Sequence, residues 1–117
     1  MAKKILVVDD EEIVSKSLLK LLKGQGYEPT IAKSGKEAIE RAKKNDFDLL
    51  IVDVRMPEMD GIETIKEIRA YLEKSDRKLI PEVLITGYAD ADKYTSAMEL
   101  EVNDYLYKPF DNKEFYR

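Results

Sequence analysis

The sequence predicts an α/β fold in which helices cover both faces of a five-stranded parallel sheet. Five short apolar runs alternate along the chain with segments whose apolar residues recur at helical spacing. Alternating strands and helices favour parallel pairing, with right-handed crossovers that bring helices to both faces of the sheet. A chain of 117 residues is long enough to form one such domain around its own core. We therefore expect a single three-layer domain over residues 1–117.

Two of the predicted strands are apolar throughout. Residues 5–8 and 49–52 contain only Ile, Leu and Val, which is typical of strands buried on both faces. Residues 27–32 form a weaker strand that contains Pro29. Because proline cannot donate a backbone hydrogen bond, we expect this strand at an edge of the sheet. The other two predicted strands span residues 83–85 and 105–107.

The predicted helices begin and end at recognisable signals. An apolar stripe over residues 14–22 indicates the first helix, and Gly24 and Gly26 provide its stop. The second, third and fifth helices begin with a capping residue followed three positions later by a glutamate. A fourth helix is expected to begin near residues 90–92. The capping pairs are Ser34 with Glu37, Asp60 with Glu63, and Asp111 with Glu114.

The composition excludes several classes of chemistry. The chain contains no cysteine and no histidine, which rules out disulfides, thiolate or histidine metal sites, Ser–His and Cys–His nucleophile pairs and a phosphohistidine carrier. A net charge of −4 argues against a nucleic-acid-binding surface. The four apolar residues that follow Lys4 are too few for a signal peptide or a membrane span. We therefore expect a cytoplasmic protein that binds neither nucleic acid nor membrane.

Reactive side chains follow four of the predicted strands. Asp9 and Asp10 come after the first strand, Asp53 after the third, Thr86 after the fourth and Lys108 after the fifth. Parallel strands place these positions at one edge of the sheet, where ligands of such folds bind. Each residue alone has an ordinary structural explanation as a helix cap or a turn residue.

Together, the three aspartates predict a divalent metal site. Carboxylates brought to one edge of a sheet repel one another unless a cation lies between them. Mg²⁺ prefers oxygen ligands and needs only one or two carboxylates besides water. The charges of Asp9, Asp10 and Asp53 would be balanced by Mg²⁺ together with Lys108.

Four segments resemble the signature segments of bacterial response-regulator receiver domains, the CheY-like family. They are VVDDEE at residues 7–12, LIVDVRMPEMDG at 50–61, LITG at 84–87 and YLYKPF at 105–110. The resemblance covers almost the whole chain in the family's order. It implies a flavodoxin-like, doubly wound sheet with strand order 2-1-3-4-5 in a three-layer αβα arrangement.

The resemblance implies a role for each matching residue near the metal. Asp53 would be the phosphoacceptor and would form a short-lived acyl phosphate. Asp10, Asp53 and the backbone carbonyl of Arg55 would bind Mg²⁺ or Mn²⁺, and Asp9 would act through a bound water. Such a domain is not an enzyme in the usual sense, because it catalyses only its own phosphorylation and dephosphorylation.

The resemblance also implies how the signal is passed on. Lys108 would pair with Asp53 and then with the phosphoryl oxygens, and Thr86 would donate a hydrogen bond to the attached group. Tyr105 would turn inward as Thr86 moves, which would reshape the face formed by the fourth helix, the fifth strand and the fifth helix. The implied partners are a histidine kinase or phosphotransfer protein and a downstream output domain or protein.

The chain departs from the family's pattern at its C-terminal end. Only seven residues follow Phe110, about two helical turns, so we expect a shortened, truncated fifth helix. The apolar surface that a full helix covers would then be free for dimerisation. The candidate contacts are Phe110, Phe115 and Tyr116.

Other phosphate-handling folds fit the sequence less well. A haloacid-dehalogenase-type phosphotransferase needs an aspartate two residues after the nucleophile, where this chain has Arg55. The acidic residues 9–12 would repel the phosphate of a flavin mononucleotide, and no P-loop motif is present. The main alternative is a receiver-fold interaction module that phosphorylation does not regulate.

Overall fold

The fold is a five-stranded parallel sheet with strand order β2-β1-β3-β4-β5, seen in a computed structural model that describes residues 2–86 and 98–107. This order confirms the predicted doubly wound topology. The strands are β1 (Lys4–Val8), β2 (Glu28–Ala32), β3 (Leu49–Asp53), β4 (Glu82–Thr86) and β5 (Asp104–Tyr107). The first four strands are connected in turn by the helices α1 (Glu12–Gly24), α2 (Gly35–Lys44) and α3 (Gly61–Lys74).

Several sequence-based expectations lie outside the described residues. They include the start of the fourth helix, the whole fifth helix with its three candidate dimer contacts, and Lys108. The side chain of Thr86 lies outside the described part of the chain as well.

The central strands are buried on both faces, as their composition predicts. Leu6 and Val8 of β1 pack into the core that contains residues of α2 and α3, whereas Ile5 and Val7 pack into the core that contains Leu18 of α1. Side chains that alternate between two covered faces explain why these strands are apolar throughout. The molecule therefore has three layers, with α1 on one face of the sheet and α2 and α3 on the other.

The predicted edge strand is confirmed. Strand β2 pairs only with β1 among the described strands, and Pro29 lies opposite Ile5. A proline is tolerated there because only one side of the strand needs its backbone donors.

The helix signals read from the sequence are also observed. The Ser34 side chain accepts a hydrogen bond from the Glu37 N–H at 3.1 Å, and Asp60 accepts one from Glu63 N–H at 2.9 Å. At the end of α1, Gly26 has φ of 88°, a left-handed conformation that favours glycine. In the described ranges, no helix has the length and apolar character that a membrane span requires.

Candidate functional site

Three aspartates meet at the carboxyl edge of the sheet. Asp9 directly follows β1 and Asp53 ends β3, and these neighbouring strands pair in parallel with Val8 opposite Val52. One carboxylate oxygen from each of Asp9, Asp10 and Asp53 lies within 4.8 Å of the other two. The predicted cluster of carboxylates is therefore present.

The three carboxylates differ in their exposure to solvent. Asp9 and Asp53 are fully buried, at 0% exposed, whereas Asp10 is exposed. The site thus consists of two buried carboxylates and one carboxylate that is exposed to solvent. A ligand that approaches from solvent can reach the cluster beside Asp10.

Local backbone bonds hold the two buried carboxylates in place. Asp9 Oδ1 accepts a hydrogen bond from the N–H of Glu11 at 2.9 Å. Asp53 Oδ1 accepts one from the N–H of Arg55 at 3.3 Å. In both cases the donor is two residues further along the chain, which is the pattern of an Asx turn. The N-cap residue of α1 is Glu11, so Asp10 is left to face the site instead of capping the helix.

A close contact at the start of α3 fixes the loop that follows Asp53. The Gly61 N–H donates to the carbonyl of Val54 at 2.8 Å. A Cβ atom at position 61 would collide with the backbone carbonyl of Asp53. Glycine is therefore needed for the backbone of α3 to approach the end of β3. Gly61 is not among the site residues predicted from the sequence, although its place between a capping aspartate and a predicted helix is a usable signal.

The first turn of α1 carries an exposed ion pair. Glu12 lies 3.1 Å from the ammonium group of Lys16, one helical turn away. The hydrogen bond from Lys16 lowers the pKa of the Glu12 carboxyl. The helix thus begins with a charged carboxylate, which is favourable at the N-terminal end of a helix.

The other predicted site residues lie on neighbouring elements. Arg55 is exposed and lies two residues beyond the end of β3. Thr86 is the last residue of β4, one position beyond Ile85, which pairs with Asp53. Tyr105 lies on β5 opposite Leu84, where it is half-buried and packs against the core on the face of α2 and α3.

The donor set fits a hard divalent cation. All three side chains offer carboxylate oxygens, the ligand type that Mg²⁺ and Mn²⁺ prefer. Two of the carboxylates are buried, where mutual repulsion is least screened by solvent. A bound divalent cation would offset that repulsion. The three residues therefore fit Mg²⁺ or Mn²⁺ both in ligand type and in charge.

Comparisons with known proteins agree with this architecture. Transcriptional regulatory protein ZraR of Klebsiella oxytoca is 41% identical over 107 residues, which cover 92% of this chain and 23% of that protein. Alkaline phosphatase synthesis transcriptional regulatory protein PhoP of Bacillus subtilis is 36% identical over 97% of this chain and 45% of its own length. The chain thus spans less than half the length of these relatives.

Solved structures show the same fold. Chemotaxis protein CheY4 of Vibrio cholerae superposes with a TM-score of 0.85 at 31% identity, covering 99% of this chain and 94% of that one. The receiver domain of sensor histidine kinase PA1611 from Pseudomonas aeruginosa, which has a magnesium ion coordinated in its active-site cleft, gives a TM-score of 0.87 at 30% identity, with coverage of 100% and 93%. The family described as the response regulator receiver domain matches residues 5–117. A match over nearly the entire chain, together with the shared topology and the acidic cluster, means that this protein belongs to the response regulator receiver domains.

Proposed function

We propose that Asp53 is the phosphoacceptor of this receiver domain. The observation that carries the proposal is the convergence of Asp9, Asp10 and Asp53 to within 4.8 Å at the ends of two adjacent strands. Asp53 is the member of the cluster that ends the central strand β3, where it lies opposite Ile85 of β4 and its carboxylate accepts a hydrogen bond from the N–H of Arg55. A carboxylate held this firmly can be aligned with an incoming phosphoryl group.

The metal site that we propose is built around the same residues. The carboxylates of Asp10 and Asp53 and the backbone carbonyl of Arg55 would bind Mg²⁺ or Mn²⁺, and Asp9 would hold a metal-bound water. The cation supplies charge neutralisation for the phosphoryl oxygens. The magnesium ion in the cleft of the PA1611 receiver domain supports this assignment.

In the proposed reaction, a carboxylate oxygen of Asp53 attacks the phosphorus atom in line with the donor bond. The new O–P bond forms as the bond between phosphorus and the donor breaks, and the bonding electrons leave with the donor group. The product is an acyl phosphate on Asp53. The Lys108 ammonium would pair with the phosphoryl oxygens, and the Thr86 hydroxyl would donate to one of them.

The attached group would then shift an equilibrium between two conformations. A ligand or modification changes such an equilibrium only by its difference in interaction with the two states. Thr86 would interact with the phosphoryl group in one state, and Tyr105, which lies on the next strand, would change its packing in response.

The partners follow from the family. A histidine kinase or phosphotransfer protein would supply the phosphoryl group, and an output domain or protein would receive the signal. The relatives ZraR and PhoP are transcriptional regulatory proteins of which this chain matches only a part, and this supports an output unit outside the receiver. We propose a cytoplasmic location on the same ground of family membership.

Intact-mass spectrometry after incubation with acetyl phosphate and Mg²⁺ tests the proposal. We expect the wild-type chain to gain one phosphoryl group, the gain to disappear with a chelator, and Asp53→Asn to show none. Asp76→Asn, a change at an exposed aspartate remote from the cluster, is the matched control and should be phosphorylated like wild type. If folded wild-type protein gains no mass, the domain acts instead as an interaction module that phosphorylation does not regulate. If Asp53→Asn gains as much mass as wild type, Asp53 is not the phosphoacceptor.

A further inference from the structure

A partly buried ion pair joins α3 to the start of β4, at the end of that strand away from the aspartates. Arg69 Nε donates to Glu82 Oε2 at 2.8 Å, and its Nη2 donates to Oε1, so the guanidinium and the carboxylate form a two-armed pair. The Glu82 side chain is 6% exposed and that of Arg69 is 27% exposed. A paired geometry of this kind fixes orientation as well as distance.

The same guanidinium binds the turn that leads into β5. Arg69 Nη1 donates to the carbonyl of Leu100 at 2.9 Å, and Nη2 also lies 3.5 Å from the carbonyl of Glu101. Glu101 has a left-handed backbone, with φ of 54°. Glutamate rarely adopts this conformation, and the contacts to Arg69 help to hold it.

Asn103 makes two hydrogen bonds with the backbone of Glu82. The Asn103 N–H donates to the carbonyl of Glu82 at 3.0 Å, and the N–H of Glu82 donates to Asn103 Oδ1 at 2.9 Å. Residues 100–103 are therefore tied to β4 through its backbone and to α3 through Arg69. We call the set Arg69, Glu82, Leu100, Glu101 and Asn103 the Arg69 clamp.

The Arg69 clamp lies at the end of β4 that is away from the carboxylate edge. Strand β4 runs from Glu82 in the clamp to Thr86, which follows the partner of Asp53 in the sheet. Strand β5 begins directly after the clamp, with Asp104 opposite Val83.

We propose that the Arg69 clamp is a fixed pivot for conformational change at the carboxylate edge. When the surroundings of Asp53 change, the clamp keeps residues 100–103 in place and holds β5 in register against β4. The clamp resists opening because removal of Arg69 from the pair would leave the Glu82 carboxylate buried without its partner. The inference depends on the proposed function in one respect only, which is that phosphorylation of Asp53 would be the natural cause of the change around that residue.

Hydrogen exchange of the amides at residues 100–104 tests the pivot. The edge is perturbed in two ways, by acetyl phosphate with Mg²⁺ and by the substitution Asp53→Ala, which removes the carboxylate without phosphoryl chemistry. Both perturbations are applied to wild type, to Arg69→Met and to the double variant Arg69→Met/Glu82→Val, which leaves no buried charge and remains informative if the single variant fails to fold. Arg77→Met is the matched control, because Arg77 is similarly half-buried but pairs with Asp46.

We expect the exchange rates at residues 100–104 to be unaffected by either perturbation in wild type and in Arg77→Met. In both clamp variants, the perturbations should change these rates by about tenfold, the scale set by losing hydrogen bonds to a charged donor. A response at residues 100–104 of the wild-type protein, or none in the clamp variants, would overturn the pivot. If the mass experiment shows no phosphorylation, the proposed function fails, and the Asp53→Ala comparison still decides the pivot.

Discussion

At the scale of single residues, the carboxylate site depends on a glycine that has no reactive group. A Cβ at position 61 would collide with the carbonyl of Asp53, so Gly61→Ala must push α3 away from the end of β3. We expect Gly61→Ala to lower the free energy of unfolding by about 1–3 kcal/mol, the usual range for overpacking. Urea denaturation of the purified domain measures this change.

Gly24→Ala is the matched control for that prediction. In the described structure, the space around a Cβ at position 24 is open, and Gly24 is the last residue of α1. Alanine is a better helix former than glycine by up to about 1 kcal/mol, so Gly24→Ala should leave stability unchanged or raise it. Equal effects of the two substitutions would show that contact with Asp53 does not constrain position 61.

The sequence allows the clustered aspartates to be predicted, but not the Arg69–Glu82 pair. Asp9, Asp10 and Asp53 are predictable because each lies at the end of a predicted parallel strand, and topology alone brings these positions together. Glu82 lies outside the apolar run 83–85 and carries a charge, which favours an exposed position on statistical grounds. Its burial depends on a partner from another element, and no local pattern reports such a tertiary contact.

At the scale of elements, a serine should contribute to stability only where it caps a helix. Ser34 accepts a hydrogen bond from the Glu37 N–H at the start of α2, whereas the Ser17 hydroxyl donates to the Ile13 carbonyl within α1. We expect Ser34→Ala to cost about 1 kcal/mol of unfolding free energy because a helix N–H loses its acceptor. Ser17→Ala should be neutral or stabilising, because alanine is the better residue inside a helix.

Thermal or urea unfolding of the two serine variants distinguishes these roles. The variants carry the same chemical change, so a general effect of losing a hydroxyl would destabilise both alike. A loss from Ser17→Ala as large as that from Ser34→Ala would contradict the capping explanation for the start of α2.

Elements were more predictable than their exact ends. The five strands, the edge position of β2 and the caps of α2 and α3 follow from local signals that the structure confirms. The start of α1 is not determined by local sequence, because residues 9–12 are all acidic and offer more than one N-cap candidate. In the structure, Glu11 is the N-cap residue and its N–H donates to the Asp9 carboxylate. The position of each acidic residue relative to the sheet edge, which is a tertiary property, therefore decides whether it lies at the helix start or in the aspartate cluster.

At the scale of the whole molecule, the acidic cluster should link metal binding to global stability. The three aspartates come from the ends of β1 and β3, more than forty residues apart in the chain, and meet only in the folded protein. A cation that binds the folded state alone stabilises it by about 2.7 kcal/mol when its free concentration is one hundred times Kd. We therefore expect the wild-type unfolding midpoint to rise steadily with Mg²⁺ and to fall back when a chelator is added.

The substitution Asp53→Asn should change both the stability of the metal-free protein and its response to Mg²⁺. Removing one of three clustered negative charges relieves repulsion, so the variant should be more stable than wild type in chelator and should gain little from Mg²⁺. Glu40→Gln, which removes one negative charge from an exposed position on α2, is the control for a general effect of net charge. It should respond to Mg²⁺ like wild type. If all three proteins gain equally from Mg²⁺, the ion acts by screening the net charge of −4, and the aspartates do not form a specific metal site.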